Sequence, residues 1–118
     1  MELTWAVINT SFLGIHNYPD SDTYLKHPHH HVFNIKVSIQ QRHNDRDIEF
    51  HELRTKVDKI IDKLYNKNSL GQYILESRSC EQISEELIQE LSIDYIDRQI
   101  TVSVFEDDMC GSIKSKVF

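Results

Sequence analysis

Glycine and proline are scarce in this chain, three and two among 118 residues. That scarcity excludes a collagen-like or low-complexity chain and argues against a long flexible linker. No apolar run approaches the roughly 20 residues that cross a bilayer as a helix, and the acidic, interrupted N-terminal stretch does not read as a signal peptide. A soluble, cytoplasmic protein is the expectation. Cations are also in deficit, with 13 Lys and Arg against 19 Asp and Glu and a formal net charge of -6. Nucleic-acid affinity is carried largely by clustered Lys and Arg, so neither nucleic acid nor membrane is expected as a partner. A small phosphorylated ligand, which needs only one or two cations, stays open. Cysteine is limited to Cys80 and Cys110, with neither zinc-ribbon spacing nor a CxxC redox pair. Both are expected as free thiols. The chain is 39% hydrophobic, enough for one domain over residues 1–118.

Against these shortages stand seven histidines, four of them in the stretch "HPHHHVFNIKVSIQ" from His27 to Gln40. Its second half alternates cleanly: Phe33, Ile35, Val37 and Ile39 fall on one face, Asn34, Lys36, Ser38 and Gln40 on the other. An earlier strand runs from Leu3 to Phe12 and on to about His16, and "HNYPDSDTYLKHP" is the loop between them. A first helix follows, with Asp47 as N-cap and Phe50, Leu53, Val57, Ile60, Ile61 and Leu64 on one face. "YNKNSLGQ" interrupts it. Ser79, with Gln82 three residues on, is a capping-box signature for a second helix, whose apolar face is Ile83, Leu87, Ile88 and Leu91. Ile100, Val102 and Val104 mark a third strand ending at Glu106, and Ser112 to Phe118 a fourth. The expected order is ββααββ, an α+β domain with an antiparallel sheet and two helices on one face.

Strand parity puts His29 and His31 on the face of Phe33 and Ile35, their roots roughly 7 Å apart, within reach of one tetrahedral zinc. His30 points the other way. A hairpin would bring His16, at the end of the first strand, beside them as a third ligand. The plain alternative is two polar side chains at a sheet margin. Three neutral imidazoles leave an open fourth position, the catalytic type of zinc site. His43 and His51, in a charged turn and on a helix, read as solvated.

The ordered motifs resemble the 6-pyruvoyl-tetrahydropterin synthase family, which includes 6-carboxy-tetrahydropterin synthase. "FLGIH" (Phe12 to His16) followed by "HHH" opening a strand is similar to its F-x-x-x-H and H-x-H pattern. "DIEFHELRTKV" resembles its first-helix opening, "SCEQISEELIQEL" the start of its second helix, and "VSVFEDD" the strand that ends in its ligand-anchoring glutamate. These matches cover nearly the whole chain in order. The resemblance implies a tunnelling fold, with subunits joined edge to edge into an oligomeric barrel, a trimer or hexamer. It implies Zn2+ on His16, His29 and His31, and a pterin- or purine-like small molecule held by Glu106, with Glu81 contributing. Glu106 shares parity with Ile100, Val102 and Val104, so it projects from the buried face, where an unpaired carboxylate is costly.

The chain departs from the family at two places. The family's catalytic cysteine lies four residues before the first histidine of the pair, where this chain has Leu25, and its Asp-His pair is absent near "KLYNKNSLG". Family chemistry needs a base to take a proton from the pterin side chain while zinc polarises adjoining oxygens. His27 and Tyr24 are the stand-ins considered, each also readable as an ordinary loop side chain. Cys80, at a helix N-terminus, should have a lowered thiol pKa, with packing at the cap as its job. Three readings follow: a zinc enzyme with lyase-type chemistry, a non-catalytic binder of such a ring, and an interaction protein with structural histidines.

Overall fold

In the computed structural model, which describes residues 1–117, two long strands dominate the molecule. β1 (Trp5–His16) and β2 (His29–Gln40) pair antiparallel along their whole length, from Trp5 opposite Gln40 to His16 opposite His29. The loop between them carries a single 3-10 turn, Tyr24–Lys26. Then come α1 (Phe50–Leu64), β3 (Tyr73–Glu76), α2 (Cys80–Asp94), β4 (Ile100–Glu106) and β5 (Cys110–Lys116). The sheet order is β3-β1-β2-β4-β5.

The α+β class stands, but the sheet is mixed where an antiparallel one is expected. β3 adds a fifth strand, parallel to β1, with a register shift between Ile15 and His16. Its sequence, "YILE", buries only Tyr73 and Leu75. Two alternations over four residues carry too little pattern to be told from loop.

The helix starts behave differently. Ser79 caps α2 with a reciprocal capping box to Gln82, as its sequence predicts. The cap of α1 is Glu49, whose side chain accepts from the Glu52 N–H, in place of the predicted Asp47. Asp47 is engaged elsewhere: it accepts from the Arg42 N–H at 3.0 Å and from Arg98 Nη1 at 2.6 Å. Phe50, expected on the apolar face, is the first helical residue and lies exposed.

One face of the sheet makes the core. Ala6, Ile8 and Phe12 of β1, Phe33, Ile35, Val37 and Ile39 of β2, and Ile100, Val102 and Val104 of β4 are buried there. Leu53, Val57, Ile60 and Ile61 of α1 and Ile83, Leu87, Ile88 and Leu91 of α2 are buried in the same core cluster. Burial of each of the larger of these side chains contributes about 1.5–3 kcal/mol. β5 begins at Cys110, two residues before the expected start, and ends at Lys116; Phe118 lies outside the described residues. The β4–β5 connection bends through Asp107 and Asp108, both with positive φ, a conformation that Asp tolerates better than most residues.

Candidate metal centre

The β1–β2 ladder brings the predicted histidines together. His16 stands directly opposite His29, and His31 opposite Gly14, all on the core face. One ring nitrogen from each of His16, His29 and His31 lies within 4.8 Å of the others. His16 is fully buried; His29 and His31 are half-buried. Phe33 forms the floor, its ring centroid 5.3 Å from that of His16 and 5.9 Å from that of His31. Gly14 leaves the space that the Leu75 and Phe33 side chains fill. A Cβ on it would come within 2.7 Å of Leu75 Cδ1 and 2.9 Å of the Phe33 ring. His30 is exposed on the other face, and His43 and His51 are exposed as expected.

The tautomer of each ring follows from its partner. Nδ1 of His16 faces the Arg78 carbonyl at 2.9 Å, Nδ1 of His29 faces the His27 carbonyl at 2.8 Å, and Nδ1 of His31 faces Asp107 Oδ2 at 2.7 Å. All three partners are acceptors only, so each Nδ1 carries a proton and donates. In the neutral ring the lone pair is then on Nε2. His16 Nε2 is buried without a hydrogen-bond partner among the described residues. Burial, the largest effect, holds the pKa of His16 below the usual 6.5, with His29 and His31 adding to the depression and the Arg78 carbonyl and Glu106 opposing it. Three imidazole nitrogens converging in this way fit a metal ion. Oriented Nδ1–H groups on ligating imidazoles are the usual outer shell of such a site.

Glu106 closes the cluster. It pairs with Phe33 across β2 and β4, and its side chain is 24% exposed. Its two oxygens lie 3.6 Å from His16 Nε2 and 3.6 Å from His31 Nε2. The Cys80 thiol donates to Glu106 Oε1 at 3.7 Å.

No protein-family model matches the chain, and no curated protein matches it. Solved structures do. The chain is similar to Plasmodium falciparum 6-pyruvoyl tetrahydropterin synthase, at 17% identity and TM-score 0.69 over 98% of this chain and 99% of that one. A catalytic-residue mutant of the Plasmodium vivax synthase aligns over 100% of both chains, at 13% identity and TM-score 0.70. The fold is that of 6-pyruvoyl tetrahydropterin synthase. At these identities the likeness shows the fold alone.

On this synthase fold, the positions that depart from the family pattern sit as follows. Leu25 lies in the 3-10 turn, half-buried. The His27 imidazole is exposed and makes no hydrogen bond among the described residues; it is the His27 backbone carbonyl that enters the site, on His29. Tyr24 is exposed, its ring 6.4 Å from that of His29. Glu81 is exposed on the first turn of α2. Cys80 is a correction. Its thiol was expected to be acidified by the helix N-terminus, but burial, then the charges of Glu106 and Glu81, push it up to about 12. It is a packed hydrogen-bond donor to Glu106.

Sequence reasoning missed two contributors. The Tyr18 ring lies tilted beside that of His16, centroids 5.1 Å apart, and burial with the nearby Glu106, Cys80 and Glu81 raises its phenol to about 12. Its position in a Pro- and Asp-rich loop gave no periodic signal. The other is Asp107, which in sequence is only the residue after the strand-end Glu106. No helix among the described residues is long and apolar enough to cross a membrane.

Proposed function

We propose that this chain is a zinc-dependent 6-pyruvoyl-tetrahydropterin synthase-like protein acting on a pterin or purine-derived ligand. The observation that carries the reading is the convergence of three histidines whose Nδ1 atoms are all engaged by oxygen acceptors. His16, His29 and His31 would hold the ion through Nε2. A zinc ion supplies Lewis-acid polarisation of substrate oxygens. Glu106 would take the amino group and adjacent ring N–H of the ligand as two charge-assisted hydrogen bonds, with Glu81 at the rim.

A second reading has its own support. Leu25 stands where the family cysteine is expected, Cys80 is buried with its thiol on Glu106, and no Asp-His pair occurs near "KLYNKNSLG", where Lys63, Tyr65 and Asn66 lie. A protein with the metal and the anchor but no base would bind such a ring without turning it over. In the Plasmodium vivax protein a glutamate is a catalytic residue, so the fold's chemistry is not tied to cysteine. We keep the lyase reading first, with His27 as the base to be tested.

Two measurements decide. Gently purified protein should carry about one zinc per chain; less than about half would remove the metal reading. Incubation with dihydroneopterin triphosphate then separates enzyme from binder: product formation lost in His29→Ala supports the first, tight binding of unchanged ligand the second. A trimer or hexamer built by edge-strand pairing fits both, because β3 and β5 leave two open edges on one chain. Light scattering that finds a monomer at micromolar concentration sinks that part.

A further inference from the structure

We propose that Asp107 is the positioning residue that makes His31 a metal ligand, by fixing its tautomer; this rests on the metal reading above. Asp107 is tied to β2 by three hydrogen bonds. Its N–H donates to the Val32 carbonyl at 2.7 Å, its Oδ1 accepts from the Val32 N–H at 2.9 Å, and its Oδ2 accepts from His31 Nδ1 at 2.7 Å. It holds this place in the left-handed region, at φ 53°, in the turn between β4 and β5.

The three histidines are therefore not oriented alike. His16 and His29 rest on backbone carbonyls, of Arg78 and His27, which survive any side-chain substitution. His31 rests on a carboxylate from another strand connection, half-exposed and replaceable. A carboxylate also raises the basicity of the imidazole it accepts from, which strengthens the ring as a ligand.

The two oxygens each serve one donor, and that is what an amide cannot copy. Asn has one acceptor oxygen and one donor nitrogen. If its oxygen keeps the Val32 N–H, its NH2 faces His31 Nδ1, and the ring satisfies it only by moving its proton to Nε2. The lone pair then points away from the metal position. The same inversion disables the histidine of a serine-protease triad when its orienting Asp becomes Asn. Asn tolerates positive φ as Asp does, so the turn itself is preserved.

The test reads the tautomer first, on metal-free protein at pH 8.5, by long-range 1H–15N NMR of the histidine rings. Wild type should show the His31 proton on Nδ1, and Asp107→Asn should move it to Nε2 while His16 and His29 keep theirs. Zinc affinity, by chelator competition, should then fall about 10–100-fold in Asp107→Asn and stay unchanged in Asp108→Asn. A wild-type His31 protonated on Nε2 overturns the inference, as does an Asp107→Asn variant with wild-type tautomer or affinity. A wild type that binds no zinc but shows the Nδ1–H ring counts against the proposed function, since the tautomer result still decides whether Asp107 holds His31.

Discussion

The two ends of the β1–β2 ladder both place polar groups against the core, and they resolve them in opposite ways. At the far end Asp47 meets a cation: Arg98 Nη1 at 2.6 Å, with the Arg42 N–H at 3.0 Å. Gln40 joins them, accepting from Gln99 N at 3.3 Å through its side chain. Charge meets opposite charge, although Arg98 Nε has no partner among the described residues, and the side chains of Asp47 and Arg98 are each only 12% exposed. At the histidine end acceptors face acceptors. Three Nε2 lone pairs and the Glu106 carboxylate converge, with the Cys80 thiol as a protein donor. Buried polar groups are normally matched, and a cluster of acceptors is matched by a cation. The first end is matched within the chain; the second has the make-up of a cation site, as proposed above.

Removing a ligand should break this contrast most sharply. His16→Ala or His29→Ala should lower zinc affinity by more than about 100-fold, because two imidazoles cannot retain the ion against water. Arg98→Gln, at the other end, should leave metal content unchanged and lower Tm. Zinc retention in His16→Ala, measured by elemental analysis, would mean the lone pairs are matched in another way.

The histidine end was the more legible of the two, and the reason is strand parity. His29, His31 and Phe33 share a face because the period of a strand is two, and Gly14 and His16 follow once the hairpin is granted. Ser79 was legible because a capping box is a local pattern. Asp47 was misread because its partner Arg98 is 51 residues away and no local rule announces it. β3 was missed because four residues carry too little alternation, and with it went the carbonyl of Arg78, just beyond its end, that orients His16. The tautomer logic of Asp107 lies in three-dimensional contacts only.

The next effect in size belongs to Glu106. Glu106→Gln keeps the shape but replaces one acceptor oxygen with a donor. If the carboxylate holds a ring amino group and its neighbouring N–H, affinity for that ring should fall about ten- to a hundred-fold, roughly 1.5–3 kcal/mol. Zinc content should be unchanged. Calorimetry with a pterin decides: equal affinity in wild type and variant means the ring is held elsewhere.

Packing sharpens the comparison further. β1 carries Ala6 at the far end and Gly14 at the histidine end, both buried on the core face. Gly14→Ala would drive a Cβ into Leu75 and Phe33, an overpacking cost of about 1–3 kcal/mol. Ala6→Gly should cost only about 0.5–1 kcal/mol, from backbone entropy. Urea midpoints rank the two, and a reversed order would mean the floor under His31 is looser than its contacts indicate.

The smallest effect is a pH dependence at the far end. The Arg42 N–H first, with the Arg98 guanidinium adding to it, holds the Asp47 carboxyl below its ordinary value of 3.8 against an opposing desolvation. A carboxyl whose folded pKa is depressed binds fewer protons in the folded chain than in the unfolded one. Its stabilisation is therefore fully present above the unfolded pKa and is lost as pH falls through the folded value. Asp47→Asn removes that dependence. Wild type should melt higher than the variant at pH 7, and the gap should narrow as pH falls below the ordinary carboxyl value of 3.8. Parallel melting curves for the two proteins across that range would mean the far end is not held by its charge, and the contrast between the two ends of the ladder would rest on the histidines alone.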